Sequence, residues 1–166
     1  SAYEYKKGIE IGNIFDLGSK FADAFKVQFM DEAGERQTIL MGCYGIGTTR
    51  LVGSIVEVSH DERGIIWPKS VAPYAVHLVT LKSKDTEIQD RIDEESEDLY
   101  DTLIKEGVEV LWPGEKLADA DLIGCPLRIL ISEKTLKEDS VEWKFRGEKE
   151  MRLVNLRDVI EESRSI

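Results

Sequence analysis

A short glycine-rich turn followed by an arginine is the feature of this sequence best suited to chemistry. Residues 41–51 read Met-Gly-Cys-Tyr-Gly-Ile-Gly-Thr-Thr-Arg-Leu and join an apolar strand to an amphipathic helix. Gly45 and Gly47 let the backbone approach a ligand, and the helix N-terminus offers free N–H groups and the positive end of its dipole. Arg50 adds a permanent positive charge in the first turn. This arrangement suits the phosphates of a nucleoside triphosphate.

The turn alone does not identify a nucleotide site. It lacks the Gly-x-x-x-x-Gly-Lys-Ser/Thr spacing of a P-loop and the third glycine of a dinucleotide motif. A tight turn is the structural alternative for Gly45 and Gly47, and a surface ion pair is the alternative for Arg50. The flanking sequence therefore has to decide between these interpretations.

The elements before residue 68 are those of an antiparallel sheet followed by one helix. The hydrophobic spacing predicts a strand over 4–17, a hairpin formed by 27–31 and 36–42, and a buried helix after Gly47. So few strands do not make a domain of their own. We therefore expect this region to be the last part of a larger sheet.

After Pro73 the pattern changes to alternating strands and helices. Strands are predicted at 74–81, 108–112 and 127–132, helices at 83–106 and 117–123, then a hairpin of 141–146 and 151–154 and a closing helix at 156–163. Strand–helix–strand order implies right-handed crossovers and a mainly parallel core, and the hairpin adds antiparallel strands. We expect a compact three-layer α/β domain.

Composition restricts the possible partners and the compartment. The net charge is −11, and residues 68–166 carry 15 basic and 23 acidic side chains, so any RNA contact must be local. The sequence has no apolar run long enough to span a membrane, and we expect no signal peptide, because residues 1–7 have no apolar core. Cys43 and Cys125 do not stand in a metal-binding sequence pattern. They are expected to be reduced thiols in a cytoplasmic protein, with no metal site.

Four segments resemble motifs of the prolyl-tRNA synthetases, in their bacterial form. Residues 8–20 resemble the E-x-G-H/N-I-F-x-L-G segment, and residues 41–51 resemble M-G-C-Y-G-I-G-x-x-R-L, which is motif 3 of the class II aminoacyl-tRNA synthetases. Residues 60–73 resemble H-D-E-x-G-I-I-W-P…A-P, and residues 117–129 resemble the A-D-A-D-L-I-G-x-P-x-R-I of the anticodon-binding domain. The matches are collinear and cover nearly the whole chain.

The resemblance implies an α/β fold in two domains. Residues 1–68 would be the C-terminal segment of an antiparallel class II catalytic sheet, and residues 69–166 an anticodon-binding-like domain with a mixed, mainly parallel sheet. A full-length enzyme of this family is a homodimer that activates proline with ATP and Mg²⁺ and transfers it to tRNA(Pro). This sequence contains neither motif 1 nor motif 2, so we expect the 166 residues alone to be inactive.

The resemblance also assigns site residues. Arg50 is the expected catalytic residue, which holds the far phosphate of bent ATP. The other expected ATP-binding residues are Glu10, Gly12, Gly45 and Gly47, and the expected proline-binding residues are Asn13, Phe15 and Cys43. Period-two alternation places Glu10 and Gly12 on one strand face and Asn13 with Phe15 on the other. For Cys43 an ordinary buried core cysteine is the alternative.

The anticodon site departs from the family pattern. Glu115 and Lys116 are the candidate anticodon residues, because Lys116 matches a family lysine that lies near the anticodon bases. The Asp-Asp-Arg of the usual loop before this lysine is absent, which removes an arginine suited to guanine edges. A non-catalytic paralogue that binds RNA or protein is therefore the second hypothesis, and an unrelated nucleotide-binding α/β protein is the third.

Overall fold

The structure, a computed structural model, describes residues 3–163 and divides into two compact units, Ser1–Ile55 and Val56–Ile166. We call them the N-terminal unit and the C-terminal unit. The division falls within the helix α2. The elements up to this helix are β1 (Gly12–Gly18), α1 (Lys20–Phe25), β2 (Gln28–Met30), β3 (Arg36–Thr38), β4 (Met41–Ile46) and α2 (Thr48–Val58).

The later elements all lie in the C-terminal unit. They are β5 (His60–Asp61), β6 (Gly64–Ile65), β7 (Val76–Thr80), α3 (Thr86–Lys105), β8 (Val110–Gly114), α4 (Leu117–Ile123), β9 (Leu127–Ile131), α5 (Glu133–Lys137), β10 (Ser140–Phe145), β11 (Arg152–Asn155) and α6 (Val159–Ser163). Across the described residues no helix has both the length and the apolarity needed to cross a membrane.

Two small antiparallel pairs make up the sheet structure of the N-terminal unit. β1 pairs with β4, and β2 with β3 forms a separate hairpin. Asp31 closes the hairpin turn, since its Oδ1 accepts a hydrogen bond from the Glu35 amide at 2.8 Å. The predicted strand over 4–17 is too long, because β1 begins only at Gly12, and the predicted strand over 36–42 is in fact the separate strands β3 and β4.

The helix α2 is not buried, and this part of the prediction is wrong. None of its residues is buried, and Val52 and Val58 are 53% and 76% exposed. The β1–β4 pair has only two strands, and a two-stranded sheet is too small to cover the apolar face of a helix. The expectation that this region has too few strands for a domain of its own agrees with these exposed side chains.

A five-stranded mixed sheet forms the centre of the C-terminal unit. Its strand order is β11-β10-β9-β7-β8. β7 pairs in parallel with both β8 and β9, whereas β10 is antiparallel to β9 and to β11. This is the predicted combination of a parallel core with a terminal antiparallel hairpin.

Alternate residues of β7 contribute to two cores on opposite faces of the sheet. Val76 and Leu78 are fully buried in a large cluster that also contains residues of α3, α5 and α6. Val79 points the other way and packs with Ala120 of α4 and with Leu130. Because helices cover both faces, the unit has the predicted three-layer α/β architecture.

Local capping explains where the helices of this unit begin and end. The Asp85 carboxylate accepts hydrogen bonds from the first amides of α3, and Gly107, with φ of +82°, follows its end. Gly124 ends α4 with φ of +78°. The helix α5 was not predicted; Ser132 and Thr135 form a capping box at its start, and only five residues follow.

Candidate functional site

The pairing of β1 with β4 brings the candidate proline-binding residues to one face. Phe15 lies opposite Cys43, and Asn13 lies opposite Gly45. Residues directly opposite each other in an antiparallel pair point to the same face, so Asn13, Phe15 and Cys43 share it. Cys43 is exposed, which does not fit the alternative of a buried core cysteine.

A pocket of about 550 Å³ lies at the end of this pair where Gly12 meets Ile46. The pocket is lined by Ile11, Gly12, Asn13, Ile14, Tyr44, Gly45, Ile46 and Leu51. Three expected site residues, Gly12, Asn13 and Gly45, therefore line the pocket. The other expected residues of this unit do not line it, namely Glu10, Phe15, Cys43, Gly47 and Arg50. Gly12 is required by the close pairing, because a Cβ at this position would lie 2.9 Å from the Gly45 carbonyl oxygen.

Arg50 lies in the first turn of α2 and contacts Glu10. Its Nη1 donates a hydrogen bond to the Glu10 carbonyl oxygen at 3.2 Å and lies 3.8 Å from a carboxylate oxygen of the same residue. Glu10 precedes β1 in the chain and is not part of it. The Arg50 side chain is 58% exposed, so its guanidinium is accessible to an anion.

The glycines of the turn have different surroundings. A Cβ at Gly45 would meet no atom within 4 Å, so this side of β4 is open. The Gly47 carbonyl accepts the Leu51 amide at 2.9 Å and so begins the hydrogen bonding of α2. Within the described residues no group of three or more His, Cys, Asp or Glu side chains could hold a metal ion.

In the C-terminal unit a second cavity lies at the carboxyl ends of the parallel strands β7 and β9. It has a volume of about 430 Å³, and we call it the strand-end groove. The groove is lined by Leu81, Lys82, Leu117, Leu130, Ser132, Glu133, Lys134, Thr135, Glu138, Glu142, Met151 and Leu153. Along the sheet the chain runs from β7 to β8 in one direction and from β9 to β10 in the other, so the strand order reverses between β7 and β9. Ligands of open α/β sheets bind at such a reversal.

Most residues of this groove were not predicted from the sequence to be site residues. Leu81-Lys82 and Ser132-Glu133-Lys134 each follow a buried strand, and parallel strands end at the same sheet edge. Their position directly after predicted parallel strands could have identified these residues.

The two candidate anticodon residues lie close to the groove but do not line it. Glu115 forms an ion pair of 2.9 Å with Lys82, which does line the groove. Lys82 therefore lowers the pKa of Glu115, and Glu115 raises the pKa of Lys82, which keeps both side chains charged. Lys116 is exposed and immediately precedes α4, whose first residue Leu117 lines the groove.

Two family models match the chain. Residues 75–166 match the family described as Anticodon binding domain, and residues 2–59 match the tRNA synthetase class II core domain (G, H, P, S and T). Among solved structures, Giardia lamblia prolyl-tRNA synthetase in complex with prolyl-adenylate is similar in fold. Its TM-score is 0.75 at 23% identity, over 90% of this chain and 33% of that chain.

Curated relatives are similar over most of the chain. The proline–tRNA ligase of Thermoanaerobacter sp. (strain X514) is 44% identical over all of this chain, and that of Elusimicrobium minutum (strain Pei191) is 42% identical over 96% of it. The proline–tRNA ligase of Thermosipho africanus (strain TCF52B) is 48% identical over 86%. The chain spans 29%, 28% and 25% of the lengths of these relatives.

The order of the matched domains agrees with the order of the motifs along the chain. The anticodon-binding match alone covers more than half of the 166 residues. The chain therefore belongs to the anticodon-binding domain family of the class II aminoacyl-tRNA synthetases, and its relatives within that class are the prolyl-tRNA synthetases.

Proposed function

We propose that this chain is part of an enzyme that activates proline with ATP and transfers the prolyl group to tRNA(Pro). The observation that carries the proposal is the placement of Arg50 at the start of α2, where it contacts Glu10 and where the next residue, Leu51, lines the pocket bordered by Gly12 and Gly45. Adenylate formation depends on neutralising the triphosphate charge and on positioning it, and an exposed arginine at a helix N-terminus does both.

The position of each site residue suggests its role. Arg50 binds the far phosphate, while Gly45 and Gly47 allow backbone approach to the nucleotide. Glu10 orients Arg50, and Gly12 keeps the two strands close. The face that carries Asn13, Phe15 and Cys43 takes the proline side of the adenylate, where the small thiol limits side-chain size.

The wider assignment follows from this proposal. The domain boundary is placed between residues 1–68 and 69–166, in the interval between the two matched family ranges. The whole enzyme would be a cytoplasmic homodimer, and Mg²⁺ would enter with the triphosphate. The 166 residues alone are expected to show no proline-dependent pyrophosphate exchange, because motif 2 is not among them.

Replacing Arg50 with alanine is expected to weaken ATP binding to this chain at least tenfold. A hydrogen bond to a charged group contributes about 1.5–3 kcal/mol, and about 1.4 kcal/mol corresponds to a tenfold change in affinity. Isothermal titration calorimetry of the chain with ATP measures the effect. Arg36→Ala is the matched control, since Arg36 is an exposed arginine of the same unit. Equal affinities of the wild type and Arg50→Ala would remove the phosphate role.

We propose further that the strand-end groove and the adjacent Lys116 contact the anticodon loop of tRNA(Pro). The groove combines an apolar floor, which suits unstacked bases, with exposed cations at its rim. Lys134 is the second residue of the helix that follows β9, and Lys116 precedes the helix that follows β8, so both lie at the same sheet edge. Acidic side chains at this edge restrict phosphate contact to a few places.

Replacing Lys116 or Lys134 with alanine is expected to reduce affinity for a tRNA(Pro) anticodon stem-loop several-fold. Each substitution should also lower the slope of log affinity against log salt by about one, because one phosphate contact is lost. Fluorescence anisotropy at several salt concentrations gives both quantities. Lys105→Ala is the control, because Lys105 is an exposed lysine that ends α3 at the opposite edge of the sheet. A loss equal to that of the control would contradict the groove assignment.

A further inference from the structure

Residues 60–67, which we call the strap, pack against the rest of the C-terminal unit. The Trp67 indole N–H donates a hydrogen bond to the Ile123 carbonyl at 3.0 Å, and the Trp67 amide donates to the Gly124 carbonyl at 3.2 Å. A Cβ at Gly64 would lie 2.4 Å from the Leu122 Cα, so the strap backbone lies directly on the end of α4.

Arg146 fixes the strap by an ion pair with Asp61, whose side chain is 34% exposed. Its Nη1 and Nη2 donate to the two oxygens of Asp61 at 2.8 and 2.6 Å, and its Nε donates to the Asp121 carbonyl at 2.9 Å. The Arg146 side chain is only 3% exposed. One guanidinium thus joins the strap, α4 and the end of β10 with bidentate geometry.

The charges continue from this ion pair toward the strand-end groove. Arg63 lies 3.6 Å from Asp61 and 3.3 Å from the Asp121 carboxylate. Arg128 lies 3.7 Å from Asp121 and 2.6 Å from Glu142.

Glu142 lines the strand-end groove. Alternating charges therefore connect the strap with the wall of the groove. The Asp121, Arg128 and Glu142 side chains are each at most 20% exposed, which limits screening by solvent.

Arg128 is the shared member of this network. It lies on β9, holds Glu142 at the groove and Asp121 toward the strap, and its buried Nε has no hydrogen-bond partner among the described residues. Arg128 does not itself line the groove, so a phosphate there reaches its guanidinium by taking the place of Glu142 and then competes with Asp121 as well.

We propose that Arg128 is a positioning residue that couples occupation of the strand-end groove by RNA phosphate to the hold on the strap. When a phosphate draws Arg128 away from Asp121, Asp121 pairs more closely with Arg63. Because Arg63 belongs to the strap and Asp121 to α4, this closer ion pair strengthens the attachment of the strap. The identity of the ligand rests on the proposed anticodon function, whereas the coupling within the network does not.

A double-mutant cycle tests the coupling without RNA. The variants are Asp61→Asn, Glu142→Gln and both together, in the 166-residue chain. Urea unfolding is followed by tryptophan fluorescence, because Trp67, Trp112 and Trp143 are the three tryptophans of the chain and all lie in the C-terminal unit. Among the described residues, Asp61 and Glu142 are joined by the ion pairs of Arg63, Asp121 and Arg128 and not by a direct contact. We expect their effects on the unfolding equilibrium constant to deviate from additivity at least about threefold.

Two controls make the cycle specific. Glu138→Gln changes another carboxylate of the groove, and its effect should be additive with that of Asp61→Asn. Repeating the main cycle in an Arg128→Met background should remove the coupling. Additive effects of Asp61→Asn and Glu142→Gln in the wild-type background would overturn the proposal.

Hydrogen exchange tests the direction of the coupling with RNA. The probe is the tRNA(Pro) anticodon stem-loop, and the readout is exchange at the strap amides of Ile66 and Trp67, which donate to Ser59 and Gly124 carbonyls. With RNA bound we expect exchange to be at least about threefold slower. Unchanged or faster exchange with bound RNA would overturn the coupling. If no RNA binds, the anticodon function fails, and the mutant cycle alone decides the coupling.

Discussion

Replacing Gly124 with alanine is expected to destabilise the C-terminal unit by about 4 kcal/mol. Gly124 has φ of +78°, a conformation that costs a residue with a Cβ about 1 kcal/mol. The larger part is steric, because an added Cβ would lie 1.9 Å from the Ile65 carbonyl oxygen. The three nearest atoms all belong to the Ile65 backbone, so α4 and the strap would have to separate.

A glycine with the same backbone conformation provides the control for this substitution. Gly107 has φ of +82°, and a Cβ there would meet no atom within 4 Å. Gly107→Ala should therefore cost only about 1 kcal/mol, which is the conformational part alone. Urea unfolding followed by tryptophan fluorescence compares the two variants. If both lose the same stability, the contact between the strap and α4 does not contribute.

Elements governed by local signals were predicted well from the sequence. The helix α4 has the predicted bounds 117–123, and α3 begins and ends within three residues of the prediction. Periodic apolar residues, the Asp85 cap and Gly107 lie within or next to α3, so nothing distant has to be known. The three-layer α/β fold followed from the order of these elements and is confirmed.

Features that depend on distant residues were not predictable in the same way. Arg146 looked like one of several basic residues near the end of the chain, and its partner Asp61 precedes it by 85 positions. A buried arginine has no signature in its own neighbourhood when its partner comes from another element. The missed helix α5 has only five residues, too few for a periodic pattern.

The strand faces of the N-terminal unit were predictable from the sequence only in part. Alternation along β1 separated Gly12 from Asn13 and Phe15. The register with β4, which places Cys43 opposite Phe15, depends on pairing between strands about 30 residues apart. The roles of these residues stay predictions, to be tested through Arg50 and the groove lysines.

Replacing Arg146 with methionine is expected to destabilise the C-terminal unit by about 3 kcal/mol at pH 7. Methionine fills much of the volume of the arginine side chain but makes none of the three hydrogen bonds that Arg146 donates. Arg91→Met is the control, since Arg91 is exposed on α3 and methionine has a similar helix propensity. The control should stay within about 0.5 kcal/mol of the wild type.

The same variant should change how stability depends on pH. The hydrogen bonds from Arg146 hold the pKa of Asp61 well below its ordinary value. A group whose pKa is lowered by folding contributes stability above its unfolded pKa and loses it as the pH falls toward the folded pKa. The wild type should therefore lose this contribution below about pH 4. In Arg146→Met the pKa of Asp61 returns toward its ordinary value, so the difference from the wild type narrows in acid. Urea unfolding from pH 7 to pH 3 measures this difference, and a constant difference would show that Asp61 and Arg146 do not act as an ion pair.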